Sequence, residues 1–386
     1  MSGLFWRCFT GAYLIQAMLA VGFLFPVVLS AQGYSIGVIG WSMSALNLAA
    51  IISRPMGGWA TERWGFSGAL FMAGILSLAA TASIWIAPGM AGMISFRAGL
   101  GMVGGVAMVA ISTFQGLVIP EEKRGPLFAI MGIAYVLPQI TVVPLGEWLL
   151  NRNMETSYLV IPAILTVLAA LMGRGLPSPE SLRQGEEKED WGSWGDCFGT
   201  SGVWAMILTL VSFSVLNSTT LQFLSLPVRE KGLSASLFYT VNAVTCVALR
   251  VFGSELIKDV PRYLLGCVSI TVMAVALTGA LAADSSFTLI LAAMGYGLGM
   301  GFGFPVMLAL IPDVFPPRLM PKGSSIGMLS MDLGFALSPL IIGALSAYFG
   351  TSGAMRVIAW AQLVIAPTAL ILWRISRKRA ESSLTL

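Results

Sequence analysis

Two charged side chains stand inside long apolar stretches: Arg97 within residues 90–118 and Asp332 within 324–349. A charge at bilayer depth costs at least about 2.5–3.5 kcal/mol on insertion scales, so each needs a partner or a task. A buried carboxyl can bind and release a proton, and a fixed guanidinium can hold an acceptor on a solute. Glu147, near the outer end of 126–148, is a third candidate for proton coupling. The apolar stretches also hold neutral polar side chains, among them Tyr13, Gln16, Gln115, Asn217, Thr220, Gln222 and Tyr296. Residues 217–222 are the densest polar run of the stretch 203–227 and the first choice for contact with a solute. The same side chains could instead bind helix to helix.

Other chemistries lack their residues. The chain has His 0, so no imidazole can ligate a metal or act as a base near neutral pH. Its four cysteines, Cys8, Cys197, Cys246 and Cys267, form no CxxC and no zinc spacing. There is no nucleophile–base pair or phosphate loop, and no carboxylate cluster within the apolar stretches. Neither an enzyme, a metal nor a cofactor is expected, and a net charge of +4 does not suggest nucleic acid.

The elements that must carry these residues follow from composition. Of 386 residues, 10% are charged and 56% hydrophobic, against roughly 25% and 45–50% in soluble domains. Mean hydropathy is +0.84. The chain therefore reads as an all-α integral membrane protein of twelve spans. The first six cover 8–30, 38–56, 68–86, 90–118, 126–148 and 157–172; the last six cover 203–227, 234–252, 263–282, 286–311, 324–349 and 354–375. Residues 1–172 form one half, 173–202 a charged cytoplasmic linker, and 203–386 the second half. The first run is longer than a signal-peptide core and is read as a retained helix. Most of the 22 lysines and arginines fall on the amino-terminal side, which places both termini in the cytoplasm.

The halves repeat. Gly99-Leu100-Gly101-Met102 reappears as Gly297-Leu298-Gly299-Met300, 198 residues on. Arg54-Pro55-Met56-Gly57 returns as Arg250-Val251-Phe252-Gly253 at 196, and Ile119-Pro120-Glu121 as Ile311-Pro312-Asp313 at 192.

With the span count, the segment Arg54-Pro55-Met56-Gly57-Gly58-Trp59-Ala60-Thr61-Glu62-Arg63-Trp64-Gly65 resembles the signature loop of the major facilitator superfamily, with Glu62 where Asp is commoner. The resemblance implies two pseudo-symmetric six-helix halves that rock about a midplane site. It implies a gating role for Arg54, Gly57, Gly58, Glu62, Arg63, Gly65 and Arg250, the two glycines removing bulk where helices approach. Arg97, with Gly101 and Gly105, resembles the family's fourth-helix motif, associated with proton coupling. In the family the first, fourth, seventh and tenth spans line the cavity, so the resemblance implies a mainly neutral solute-binding set of Tyr13, Gln16, Gln115, Asn217, Thr220, Gln222 and Tyr296, with Arg97 the permanent cation among them. The fifth span keeps Gly132 and Pro138 of an exporter motif but has Leu137 before the proline; Pro144 and Gly146 are placed to supply a displaced kink. The first span has no acid, unlike that of many drug antiporters.

The texture is similar to bacterial drug-efflux and metallophore-export members. The expectation is a monomeric, proton-coupled exporter of a small amphipathic organic molecule, multi-pass in a bacterial cytoplasmic (inner) membrane, with solute, protons and the lipid bilayer as partners. The alternatives are an uptake permease, a proton symporter for a small organic anion or metal chelate, and a receptor or scaffold that does not transport.

Overall fold

Inside a bilayer every backbone polar group must be satisfied within the chain, and an apolar run does so by coiling into a helix. The computed structural model describes residues 3–87, 89–118, 124–176, 193–252, 260–316 and 319–384, and every regular element in them is helical. In chain order these are α1 (Gly3–Val21), a 3₁₀ turn (Gly22–Leu24), α2 (Phe25–Ala31), α3 (Ile36–Ile86), α4 (Met90–Val118), α5 (Arg124–Val136), α6 (Pro138–Asn151) and α7 (Glu155–Met172). Then come α8 (Trp194–Gly199), α9 (Val203–Phe223), α10 (Ser225–Glu230), α11 (Ala235–Phe252), α12 (Arg262–Ala282), α13 (Ser286–Val314) and α14 (Met320–Leu384). Two of these are double. The backbone leaves the helix at Gly65 inside α3 and at Gly350 inside α14, so the described residues carry twelve spans. The chain divides into two compact units, Met1–Glu186 and Glu187–Leu386.

The signature segment is more helical than expected. The second span does not end near residue 56 but runs on to Trp64, because no residue after Pro55 breaks it and Thr61 Oγ1 donates back to the Gly57 carbonyl at 2.7 Å. The turn is made by Gly65 alone, at φ 69° and ψ −178°, a left-handed backbone that glycine tolerates without strain. The fifth span also differs. It breaks at Leu137, where α5 ends and Pro138 opens α6, because the proline has no N–H to continue the ladder. Pro144 lies inside α6, and Gly146 serves close packing: a Cβ there would stand 3.2 Å from the Tyr158 ring and 3.3 Å from Leu24.

The repeat is written in contacts, and they correct its register. Gly101 and Gly105 of the fourth span abut the Leu46 and Ala50 carbonyls of the second. Gly297 and Gly301 of the tenth abut the Asn242 carbonyl and Cys246 Cα of the eighth. Gly99 meets Ala80 of the third span, as Gly295 meets Ala276 of the ninth. Each glycine and each partner recurs 196 residues on, the spacing of Arg54 and Arg250. The Gly-Leu-Gly-Met likeness at 198 is a two-residue slip. Two residues turn a helix through about 200°, so at 198 like letters fall on different faces. The 119–121 landmark lies outside the described residues.

The same register shows what the halves do not share: the residue matching Arg97 is Ala293, 0% exposed. The turns after the first and seventh spans are alike in form but lie 199 residues apart, three more than the glycine contacts. The Tyr34 N–H bonds to the Leu29 carbonyl as Leu233 N–H does to Val228, around Gly33 and Gly232 at φ 83° and 72°.

Gly57 has a consequence for stability. Its Cβ would sit 2.8 Å from Val106 Cα, a backbone atom that cannot swing aside. Gly57→Ala should therefore cost about 1–3 kcal/mol by overpacking, read as a lower melting temperature of the purified protein. Gly58 has nothing within 4 Å, contrary to its expected packing role, and Gly58→Ala should melt as the wild type does.

Candidate functional site

The polar residues fall into separate groups. In the second unit, α9 carries Asn217, Ser218, Thr219, Thr220 and Gln222, all 6% exposed or less. An apolar helix accepts so many polar side chains only where they find partners, and these do. The Tyr296 hydroxyl of α13 donates to Asn217 Oδ1 at 3.3 Å. Ser218 Oγ donates to the Phe335 carbonyl at 3.1 Å, and Thr219 shares a hydroxyl bond with Ser338 at 2.8 Å, so α9 is tied to the eleventh span. Gly334 allows that approach, since a Cβ there would meet Ser214 Cβ at 2.7 Å. Thr220 Oγ1 donates along its own helix to the Leu216 carbonyl at 3.0 Å.

Gln222 is different. Ser218 has committed its proton to Phe335, so its oxygen can only accept, and Gln222 Nε2 donates to it at 2.6 Å. The other end of the amide, Gln222 Oε1, is buried with no hydrogen-bond partner. An unsatisfied buried acceptor costs on the order of 1–3 kcal/mol, so this atom is an open position for a donor.

In the first unit Tyr13 and Gln115 are paired with the fifth span and Gln16 with the fourth. The hydroxyls of Tyr13 and Thr141 share a bond of 2.8 Å. Gln115 Nε2 donates to the Tyr135 hydroxyl at 3.1 Å, and Gln16 Nε2 reaches Met108 Sδ at 3.4 Å. Tyr135 was not singled out in the sequence. An aromatic hydroxyl in an apolar run signals a polar contact of some kind, but not its partner.

Arg97 stands apart from this lining. No hydrogen bond among the described residues joins it to Tyr13, Gln16 or Gln115. It is 3% exposed, its Cζ lies 5.1 Å from the centroid of the Phe25 ring, and its Nε has no hydrogen-bond partner. Gly22 leaves the space for it: a Cβ there would overlap Arg97 Nη1. The surrounding walls are Val21, Phe96, Leu100, Tyr158, Leu159 and Pro162. The Tyr158 hydroxyl donates a very short bond to the Val21 carbonyl. The sequence offered no sign that Gly22, Phe25 and Tyr158 would gather round this arginine.

Asp332 is half-buried, 12 residues into α14 and so roughly 18 Å from Met320 at 1.5 Å per residue. It stands two residues before the Gly334 contact with α9. Glu147 is 5% exposed and follows Gly146, the glycine packed on Tyr158 and Leu24. Of the signature residues, Arg63 lies 6.0 Å over the Trp59 ring, and Trp59 packs edge-on against Trp64 at 4.8 Å. Arg250 lies 6.0 Å over the Phe304 ring. The Glu62 side chain is outside the described residues. Among those described, no group of three or more Cys, Asp or Glu is placed to hold a metal ion.

Comparisons with known proteins agree with this architecture. A putative metabolite transport protein of Bacillus subtilis (strain 168) is 30% identical over 148 residues, 36% of this chain and 30% of that protein. A D-xylose transporter of Levilactobacillus brevis is 30% identical over 154 residues, 37% of this chain and 31% of that protein. The matched stretch is thus about a third of each relative's length. Among solved structures, a D-xylose-proton symporter superposes with TM-score 0.74 over 96% of both chains at 18% identity, a likeness of fold. The family description "Major Facilitator Superfamily" matches residues 7–278 and 232–385. The chain belongs to the Major Facilitator Superfamily.

Proposed function

We propose that this protein is a secondary active transporter that takes up a small, neutral, hydroxyl-bearing solute together with protons, by alternating access. The observation that carries the reading is the buried polar run of α9, with Gln222 Oε1 left open to a hydroxyl donor and Asn217 held by Tyr296 beside it. Both groups are uncharged, which suits a polyol or sugar better than the organic anion or metal chelate the sequence suggested for uptake. The permanent cation that would have held an anion is engaged with Phe25. The names of the similar proteins point the same way: a metabolite transport protein, a D-xylose transporter and a D-xylose-proton symporter. None of the three names describes a drug or metallophore exporter, so the export expectation drawn from the fourth and fifth spans gains no support from them.

In this reading Asp332 carries the proton, with Glu147 as the second carboxyl to examine. Asn217, Thr220, Gln222 and Tyr296, all of the second unit, position the solute. The segment from Arg54 to Gly65, and Arg250, serve as the gate.

The test is uptake into proteoliposomes of radiolabelled D-xylose and a panel of small polyols, with the outside acid relative to the lumen. Accumulation that collapses with an uncoupler is the expected result. If no panel member enters faster than in empty liposomes, the neutral-solute reading falls. Transport driven only by an outwardly directed solute gradient with proton entry would restore export.

A further inference from the structure

The first span is not one continuous helix: it tightens into a 3₁₀ turn at Gly22–Leu24 before resuming as α2. A mid-helix 3₁₀ turn of this kind marks a place where a helix can hinge. The seventh span is also interrupted towards its end, at Leu224 between α9 and α10. Each bend has a tyrosine hydroxyl on its carbonyls. In the first unit Tyr158 donates to Val21; in the second, Tyr239 donates to Leu221 at 3.2 Å. Only the first unit adds a cation, because the residue in register with Arg97 is Ala293.

Several of the residues around that cation belong to the bend. Gly22, the first residue of the 3₁₀ turn, lacks the side chain that would displace the guanidinium. Phe25, the first residue of α2, presents its ring face to it and also packs on Phe96 with centroids 5.7 Å apart. Leu24, the last residue of the turn, lies against Gly146. A guanidinium over an aromatic face gains most where both are desolvated, and Arg97 is almost wholly buried.

We infer that Arg97 is a positioning residue: it pins the outer segment of the first span, α2, to the fourth span through the Phe25 ring. The pin acts on the bend, and any effect on solute or proton passes through the movement of α2. The inference rests on the transport reading for its purpose only.

The experiment measures α2 directly, without solute. Spin labels are placed at Ser30 and Thr156, both exposed, in full-length protein whose four buried cysteines are replaced by alanine, reconstituted in lipid nanodiscs. The distance between labels is read by double electron–electron resonance. Wild type should give one narrow distribution. Arg97→Gln and Phe25→Leu, which remove the charge and the ring, should shift or broaden it. Gly22→Ala should do so too, by displacing the guanidinium. Arg97→Lys and Phe25→Tyr keep a cation and a π face and should restore the wild-type distance, which a role in filling volume would not predict. Wild-type distributions in both Arg97→Gln and Phe25→Leu would overturn the inference, as would Arg97→Lys displaced as far as Arg97→Gln. Should Arg97→Gln fail to fold, the Phe25→Leu and Phe25→Tyr pair decides alone. Failure of uptake in the proteoliposome assay leaves these distances unaffected, so the two readings fail separately.

Discussion

Asp332→Asn is expected to abolish accumulation of solute against its gradient while leaving exchange of labelled for unlabelled solute intact. A carboxyl and a carboxamide have nearly the same shape, so the substitution keeps packing beside the Gly334 contact and removes only the ability to bind and release a proton. A coupled carrier must return through its cycle with that proton added or lost; exchange needs no such step. The expected reading is a fall from uncoupler-sensitive accumulation to simple equilibration, with exchange within about twofold of wild type. A twofold change corresponds to about 0.4 kcal/mol, small beside the cost of losing a buried partner. If Asp332→Asn still accumulates solute on a proton gradient, Asp332 carries no coupling proton and Glu147→Gln becomes the next variant to measure. If exchange is lost as well, Asp332 belongs to the packing of α14 on α9.

Twelve spans were legible because hydropathy needs no partner to be read: a run of about 20 apolar residues must coil wherever it sits in a bilayer. The end of the second span was not, since nothing between Pro55 and Gly65 announces whether a segment with Glu62 and Arg63 is loop or helix. The break at Pro138 needs no glycine before it, since the absent N–H of the proline suffices. The repeat was visible, but its register required contacts. Identity of letters favoured 198, whereas the carbonyls touched by Gly101 and Gly297 give 196.

For the site, residue type identified Asn217, Gln222 and Tyr296, because polar groups in an apolar run are conspicuous. It could not separate Arg97 from them. Arg97 and Gln115 lie on the same span, and only the fold shows that one meets Phe25 and the other Tyr135.

Gln222→Leu should raise the KM for a transported neutral solute by about tenfold, the equivalent of roughly 1.4 kcal/mol, with the maximal rate changed far less. The argument is one of satisfied and unsatisfied atoms. Gln222 Oε1 has no hydrogen-bond partner within the protein, so a hydroxyl that reaches it gains a bond without breaking another there, and leucine offers nothing in its place. A neutral hydrogen bond is ordinarily worth about 0.5–1.5 kcal/mol net, and the upper end is expected where the acceptor is already desolvated. Ser218→Ala supplies the control. It leaves Gln222 Oε1 in place but removes the oxygen that receives Gln222 Nε2 at 2.6 Å, freeing the amide to turn. Its KM should rise by a smaller factor, about two- to fourfold, through disorder of the same group. Deoxy analogues sharpen the assignment: the analogue lacking the hydroxyl that donates to Gln222 should bind the wild type as weakly as the parent solute binds Gln222→Leu, and should show no further loss in that variant. If every deoxy analogue loses affinity equally in both proteins, Gln222 does not touch the solute, and the polar run of α9 serves to hold the seventh span to the eleventh through Ser218 and Thr219.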